Sequence, residues 1–203
     1  GALMVTMDIG HPDASLFATM KHDTTKVTGA NVSLRITDEF MKAVQGDKEF
    51  TQRWPSEGKA KITKKIMAKE LFQTIVSSAY KTGDPGMLMW DNYTKNLPAH
   101  CYKDFESIST NPCAEIALTA YDCCRLISIN LSSFVDNPFT EIAVFALEKF
   151  KNVVASAARL SDDLVELEIE LMERIISQCN DDAEAVLWGK MKDAAVRGRR
   201  VGL

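Results

Sequence analysis

The stretch Ser109-Thr110-Asn111-Pro112-Cys113-Ala114-Glu115-Ile116-Ala117-Leu118 places an amide, a thiol and a carboxylate within five residues. Because a residue that precedes proline disfavours helix, Asn111-Pro112 predicts a segment that is extended or turns. The apolar residues Ile116 and Leu118 predict that this segment is anchored in a core. Cys113 is then expected on a loop that can present all three polar groups to one substrate. Taken alone, the stretch fits a plain loop with one buried cysteine better.

The composition around this stretch is that of a globular protein. The chain has 203 residues, of which 46% are hydrophobic and 26% are charged, and its net charge is -4. This length corresponds to one or two domains with ample chain for a core. The acidic balance gives no indication of a nucleic acid or an anionic membrane as partner. No apolar run approaches the length of a membrane span, and no signal peptide is predicted.

The five cysteines do not form a recognisable framework. Their number is odd, and none are spaced as Cys-x-x-Cys pairs. The sequence therefore predicts neither a disulfide scaffold nor a zinc site. Reduced thiols in the cytoplasm are expected, with one or two of them used in chemistry.

Short apolar runs alternate with amphipathic segments along the chain. Strands are predicted at residues 3–9, 31–37, 87–90 and 126–131. Helices are predicted at about 13–20, 38–46, 62–81, 141–179 with a break near Ser161, and 183–196. Residues 47–60 are expected to form a surface excursion, and 91–110 a long polar connection. This alternation predicts an α/β fold with parallel pairing, although four strands cannot close a barrel by themselves.

An acidic run on the long predicted helix raises the question of a metal site. It contains Asp162, Asp163, Glu166, Glu168 and Glu170. Carboxylate-bridged metal sites on helices usually add a histidine on the same faces, and the run has none. A solvated acidic face is predicted instead, and no metal.

Two thiols lie on neighbouring elements, Cys113 on the loop and Cys124 at the start of a predicted strand. A one-electron sulfur centre would use one of them as a thiyl radical that abstracts hydrogen. A dithiol chemistry would use one as half of a disulfide-forming pair.

Residues 109–116 resemble the finger-loop motif of the large, catalytic subunit of ribonucleotide reductases, which usually reads Asn-Pro-Cys-Gly-Glu. Ala114 stands where that motif usually has glycine. Residues 121–131 are similar to the strand that follows, with Cys124 as its redox cysteine. Further matches occur in the same order at residues 1–4, 11–13, 31–33, 37–41, 83–86 and 199–203. The chain is therefore identified as a central portion of such a subunit over its whole length.

The resemblance implies a role for each matched residue. Cys113 would carry the transient thiyl radical that removes the 3′-hydrogen of the substrate. Glu115 would act as base toward the 3′-hydroxyl, and Asn111 would orient the substrate hydroxyls. Cys124 would be half of the redox disulfide, with its partner outside this chain. Cys123 is interpreted as structural, and Cys101 and Cys179 match no motif.

The fold implied by the resemblance is part of a ten-stranded α/β barrel with a central finger loop. Residues 1–203 are expected to form a single partial domain, truncated at both ends. The partner redox cysteine and the loops for effector and substrate phosphate would lie elsewhere in the same polypeptide. The isolated chain is therefore expected to be inactive.

The implied cofactor is adenosylcobalamin, because the flanks of Cys124 and the Asp162-Asp163 pair are similar to members of that class. A di-iron tyrosyl radical in a separate subunit is the rival radical source. Expected partners are a ribonucleoside di- or triphosphate, nucleotide effectors, a thioredoxin- or glutaredoxin-like reductant and the rest of the polypeptide, with a homodimer allowed. Two alternatives stay open. One is a thiol-disulfide oxidoreductase that uses Cys113 with Cys124, and the other is a non-catalytic helical interaction module with buried cysteines.

Overall fold

The computed structural model of the protein describes residues 3–202. Within them the chain divides into two compact units, the first ending at Ala117 and the second beginning at Leu118. The matches at Gly1-Ala2 and Leu203 lie outside the described residues. The single partial domain stays a prediction, and each unit is described by itself.

Strands and helices alternate in the first unit. Its strands are β1 Met4–Asp8, β2 Asn31–Ile36, β3 Glu49–Trp54, β4 Ile62–Met67, β5 Gly86–Met89, β6 Ser109–Thr110 and β7 Ala117–Leu118, the last of which crosses the boundary. Its helices are α1 Ala14–Thr19, α2 Asp38–Gln45, α3 Ala68–Thr82, α4 Trp90–Asn96 and a 3-10 turn at Pro98–Cys101.

A parallel sheet in the order β1-β2-β5 organises this unit. One face of it packs on helices α1, α2 and α3. That core contains Ile9, Val32, Leu34, Ile36, Phe17, Phe40, Leu71 and Ile75. Because side chains alternate along a strand, Thr6, Asp8, Ser33 and Arg35 point to the opposite face. The predicted α/β fold with parallel pairing is confirmed.

The region from residue 47 to residue 67 differs from the prediction. It forms an antiparallel hairpin of β3 and β4, in which Glu49 pairs with Met67 and Trp54 with Ile62. The predicted helix therefore begins at Ala68, six residues late. The apolar residues of β4 satisfy a helical spacing as well as a strand, and pairing with β3 decides between the two. Gln52, fully buried, ties the hairpin to the sheet by donating from Nε2 to the carbonyl oxygen of Ile9 at 3.0 Å.

The second unit is mainly helical. Its elements are β8 Arg125–Leu126, a 3-10 turn at Leu131–Phe134, β9 Val135–Asp136, β10 Val144–Phe145, α5 Leu147–Gln178, α6 Asp182–Gly198 and β11 Val201–Gly202. Helices α5 and α6 pack together through a core of Val165, Ile169, Met172 and Ala195. Strands β8 and β11 pair in parallel, and β9 and β10 pair antiparallel.

The long predicted helix begins later and does not break. Helix α5 starts at Leu147 and continues through Ser161 to Gln178. Ser161 is fully buried inside the helix, so it does not recap a second one. The sequence of α5 contains no glycine or proline, which explains why the acidic pair after Ser161 is not enough to end it. The strand predicted at 126–131 is reduced to Arg125–Leu126 and is followed by irregular chain.

Residues 3–202 form one sheet of three strands and four sheets of two, and none of these sheets closes into a barrel. The ten-stranded barrel therefore stays a prediction. Over the same residues, no helix combines the length and the apolar character needed to cross a membrane.

Candidate active site

A tight loop between β6 and β7 carries Asn111, Cys113 and Glu115. Its base is closed by Asn111, whose backbone N–H donates to the carbonyl oxygen of Ile116 at 3.2 Å. The side-chain Oδ1 of Asn111 accepts from the backbone N–H of Ile116 at 3.0 Å. A third bond, from the N–H of Ala114 to the carbonyl oxygen of Asn111 at 3.0 Å, turns the chain inside the loop. The loop predicted from Asn111-Pro112 is confirmed.

The tip of the loop presents the two reactive side chains. Cys113 and Glu115 are both exposed, whereas Asn111 at the base is buried. The interpretation of a loop with one buried cysteine is therefore wrong for Cys113. Between them, Ala114 has a φ of +69°, in the left-handed region that favours glycine.

Within residues 3–202, only one of the two polar atoms of the Asn111 side-chain amide forms a hydrogen bond. Oδ1 accepts from Ile116, but Nδ2 is buried and has no hydrogen-bond partner among residues 3–202, and the residue is 2% exposed. A buried donor without a partner costs free energy, which a hydroxyl group or a water placed beside it would recover. Nδ2 is thus the atom of Asn111 that can donate to a ligand.

The strand that leads into the loop lies on the polar face of the parallel sheet. Thr6 Oγ1 and Ser109 Oγ form a hydrogen bond of 3.2 Å. One guanidinium nitrogen of Arg35 donates to the carbonyl oxygen of Ile108 at 3.2 Å. Two strands of the sheet therefore hold the entry of the loop.

Two aromatic residues of α4 hold the loop from another side. The Tyr93 hydroxyl donates to the carbonyl oxygen of Ala114 at 3.2 Å. The ring of Tyr93 stacks on Trp90, with 5.7 Å between centroids and an angle of 8° between planes. The guanidinium carbon of Arg35 lies 5.2 Å from the centroid of the Trp90 ring. Tyr93 lies in the segment predicted as a polar connection, residues 91–110, and Trp90 directly precedes it.

A cavity of about 470 Å³ lies at the carboxyl ends of β1 and β2. Its charged and aromatic lining consists of Asp8, His11, Arg35, Glu39, Arg53, Phe50 and Trp54. Asn111, Cys113 and Glu115 do not line it. Thr6 and Arg35 line the cavity, and both also form hydrogen bonds at the entry of the loop.

Cys124 belongs to the second unit, directly before β8, and is half-buried. The segment around it is held by ionic contacts. Arg125 Nε donates to Glu168 Oε2 on α5 at 2.5 Å, and the Cys123 thiol donates to Glu168 Oε1 at 3.3 Å. The fully buried carboxylate of Asp122 accepts from Arg125 at 3.3 Å and from Arg200 at 3.1 Å.

The solvated acidic face predicted on α5 is confirmed at Asp162, Asp163, Glu166 and Glu170, which are exposed, while Glu168 is half-buried. Glu168 is paired with Arg125, and Asp162 and Glu166 both bind Arg199 at 2.6 Å. Hydrogen bonding to Arg199 lowers the pKa of Asp162. Among residues 3–202 no group of three His, Cys, Asp or Glu side chains is arranged to hold a metal ion.

Cys123 is exposed as a residue, but its thiol lies against Glu168 of α5 and is partly desolvated there. Burial raises the pKa of the Cys123 thiol to about 11, and the hydrogen bond to Glu168 adds to the rise while the Arg125 charge opposes it. At neutral pH Cys123 is therefore a protonated donor to Glu168. This is consistent with the structural role predicted for it.

The sequence model of the family described as ribonucleotide reductase, barrel domain, matches residues 1–184. The chain belongs to this family. The match contains the loop, Cys124 and the whole of α5, while Arg199, Arg200 and β11 lie beyond it. The family prediction made from residues 109–131 is confirmed.

Several relatives of this reductase chain are named as vitamin B12-dependent enzymes. The vitamin B12-dependent ribonucleoside-diphosphate reductase of Thermoplasma acidophilum is 33% identical over 167 residues, covering 82% of this chain and 21% of the relative. That of Mycobacterium tuberculosis is 30% identical over 168 residues, covering 82% and 23%. The vitamin B12-dependent ribonucleotide reductase of Rhodopirellula baltica is 35% identical over 106 residues, covering 52% and 10%. The chain thus spans about a fifth of the length of the first two relatives.

The cavity at the carboxyl ends of β1 and β2 is too small to enclose a whole cobalamin. A cavity of about 470 Å³ holds a molecule of drug size, and a corrin with its adenosyl group and tail is larger. We therefore assign no residue of this chain to the cofactor.

Sequence reasoning selected Asn111, Cys113 and Glu115 of the β6–β7 loop as candidate site residues but missed the residues that support the loop. Arg35 and Tyr93 carry no motif in the sequence. The spacing of Trp90 and Tyr93 places both rings on one side of a helix, which is a signal for a pair. It does not indicate what the pair faces.

Proposed function

We propose that this chain carries the radical-bearing cysteine of a ribonucleotide reductase and that the complete protein converts ribonucleotides to deoxyribonucleotides. The observation that carries the proposal is the β6–β7 loop. Its braced base and exposed tip place the thiol of Cys113 and the carboxylate of Glu115 on either side of Ala114. Family membership supports this use of the loop.

Cys113 acts as the one-electron centre in this proposal. As a thiyl radical it takes the hydrogen atom from the 3′-carbon of the ribose and becomes a thiol. At the end of the cycle it returns a hydrogen atom to the same carbon. An exposed position on a short, hydrogen-bonded loop allows close approach to a substrate while limiting movement of the sulfur.

Glu115 and Asn111 handle the hydroxyl groups. The Glu115 carboxylate accepts the proton of the 3′-hydroxyl, which assists departure of the 2′-hydroxyl as water. Asn111 Nδ2 donates to a substrate hydroxyl, the bond that this buried atom otherwise lacks. Oδ1 is not available for this role because it accepts from Ile116.

Cys124 and a cysteine elsewhere in the polypeptide supply the two electrons. Their thiols are oxidised to a disulfide as the 2′-carbon is reduced, so the sum is ribonucleotide and two thiols giving deoxyribonucleotide, disulfide and water. A thioredoxin- or glutaredoxin-like dithiol then restores the pair by exchange.

The radical source is proposed from the relatives. Those named above are vitamin B12-dependent, which favours adenosylcobalamin over a tyrosyl radical in a second subunit. When bound, adenosylcobalamin supplies the radical that activates Cys113. A diphosphate substrate is favoured because two of these relatives are ribonucleoside-diphosphate reductases. A cytoplasmic location, nucleotide effectors, a homodimer and the ten-stranded barrel complete the proposal for the whole protein.

The test uses the polypeptide from the complete reading frame, with a ribonucleoside diphosphate, adenosylcobalamin and dithiothreitol. Formation of deoxynucleotide is measured for the parent, Cys113→Ser and Cys101→Ser. We expect Cys113→Ser to abolish the product, because a serine hydroxyl cannot carry the radical at accessible energy. Cys101 is also exposed and matches no motif, so Cys101→Ser is the matched control and should retain activity.

The same assay can reject the proposal. Product formation by Cys113→Ser at the parental rate would show that the loop thiol is not the radical centre. A disulfide mapped between Cys113 and Cys124 in the turned-over protein would favour the thiol-disulfide oxidoreductase instead.

A further inference from the structure

Tyr93 touches the loop at the peptide group that separates its two reactive residues. The hydroxyl of Tyr93 donates to the carbonyl oxygen of Ala114 at 3.2 Å. This carbonyl belongs to the peptide that joins Ala114 to Glu115, one residue after Cys113. The orientation of that peptide plane therefore affects both the thiol and the carboxylate.

The backbone at this point needs a restraint. Ala114 has a φ of +69°, where the Cβ of an L-residue crowds the following carbonyl oxygen. The N–H of Ala114 is held by the carbonyl oxygen of Asn111, but this bond fixes only the preceding peptide group. A bond to the carbonyl oxygen of Ala114 fixes the other side of the strained residue.

Tyr93 is itself held in place. Its ring stacks on Trp90 within α4, and the Arg35 guanidinium lies over Trp90. Arg35 also donates to the carbonyl oxygen of Ile108, one residue before β6. The contacts thus run from the sheet through Arg35, Trp90 and Tyr93 to the loop tip, and the same arginine holds the loop entry.

We propose that Tyr93 is a positioning residue of the reductase, whose hydroxyl holds the Ala114–Glu115 peptide and so fixes Cys113 and Glu115 relative to the substrate. This inference rests on the proposed function. Tyr93 itself does not touch the reacting atoms. Its effect comes through geometry, and small misplacements of reacting groups lower rates strongly.

The first experiment measures the local stability of the loop and does not depend on catalytic activity. Hydrogen exchange of the Ala114 amide is measured by NMR or mass spectrometry in the parent, Tyr93→Phe and Tyr80→Phe polypeptides. Tyr93→Phe keeps the ring that stacks on Trp90 and removes only the hydroxyl. We expect exchange about five-fold faster, the ratio for loss of one ordinary hydrogen bond. Tyr80 is 92% exposed, so Tyr80→Phe is the matched control and should exchange at the parental rate.

A rescue variant separates positioning from general loosening. Glycine adopts a positive φ without the Cβ penalty, so Ala114→Gly relieves the strain that Tyr93 offsets. We expect Tyr93→Phe combined with Ala114→Gly to exchange more slowly than Tyr93→Phe alone. Equal exchange in parent and Tyr93→Phe, or no recovery in the double variant, would overturn the proposed contact.

The second experiment measures kcat and KM in the complete holoenzyme. We expect Tyr93→Phe to lower kcat about ten-fold or more and to change KM less than two-fold, because the substrate is still bound but the reacting groups are misaligned. An unchanged kcat despite faster exchange, or a raised KM with unchanged kcat, would overturn the positioning role. A parent protein that forms no deoxynucleotide would reject the proposed function and this catalytic role with it. The exchange data would still decide whether Tyr93 holds the loop.

Discussion

Replacement of Glu168 by glutamine is predicted to loosen the segment that carries Cys124. Glu168 accepts from Arg125 Nε at 2.5 Å and from the Cys123 thiol at 3.3 Å, and so ties residues 123–125 to helix α5. The Arg125 side chain is 10% exposed and that of Glu168 is 31% exposed, so solvent screens the pair only in part. Glutamine has nearly the same shape and still offers an oxygen acceptor, but its charge is zero.

The size of the effect follows from these contacts. A hydrogen bond to a charged group contributes about 1.5–3 kcal/mol and a neutral one about 0.5–1.5 kcal/mol. Arg125 keeps its contact with the buried carboxylate of Asp122, which limits the loss. We therefore expect the free energy of local opening to fall by about 1–2 kcal/mol, which is about a 5- to 30-fold increase in the open population.

The assay is hydrogen exchange at the Ile127 amide, which donates to the carbonyl oxygen of Gly202 at 2.9 Å beside the β8–β11 pair. Glu170→Gln is the control, because it removes the same charge from an exposed position of the same helix. If Glu168→Gln accelerates exchange at Ile127 no more than Glu170→Gln does, Glu168 does not hold the Cys124 segment and the reasoning is refuted.

Two further predictions concern a titration and a close contact. Alkylation of Cys123 by iodoacetamide should rise with a midpoint near pH 11, against the ordinary thiol value of 9.0. Because the folded pKa is raised, the stabilisation linked to Cys123 is full below about pH 9 and is lost as pH rises toward 11. A Cys123 midpoint at the ordinary thiol value of 9.0, read by mass spectrometry, would contradict the raised pKa of this thiol. Gly86→Ala should destabilise the first unit by about 1–3 kcal/mol, because the added Cβ would lie 2.5 Å from Ser33 Oγ. Adding Ser33→Ala removes that oxygen and should restore much of the loss in urea unfolding. Equal stability of the single and double variants would exclude the clash as the cause.

Local sequence patterns predicted an element correctly where the pattern of residues fits only one type of local structure. The apolar run of β2 and the amphipathic stretch of α3 were predicted because burial of one face requires their periods. Asn111-Pro112 predicted the loop, since proline excludes helix just before it. The motif around Cys113 identified the family, and the match over residues 1–184 confirmed it.

Local patterns failed where a partner strand or helix made the choice. Ile62, Ile66 and Met67 fit a helix as well as a strand, and pairing with β3 selects the strand. Ser161 resembles a helix cap, but it lies fully buried inside a continuous helix. The acidic run of α5 is mostly exposed, as its composition indicates, but its partners Arg125 and Arg199 lie 33 to 43 residues away along the chain, so no local pattern could predict these ion pairs.

The sequence by itself determined which loop is the candidate site, because asparagine, thiol and carboxylate lie within five residues and need no distant partner to be recognised. Only the tertiary structure decided how that loop is held. Arg35, Trp90 and Tyr93 lie earlier in the chain, and although the spacing of Trp90 and Tyr93 signals a pair, no sequence pattern indicates that their stacking and hydrogen bonds support this loop. The tertiary structure also decided how Asn111 is used, because the sequence does not indicate which of its two polar side-chain atoms has a partner inside the protein. In the folded chain Oδ1 accepts from the backbone N–H of Ile116, and Nδ2 has no hydrogen-bond partner within residues 3–202.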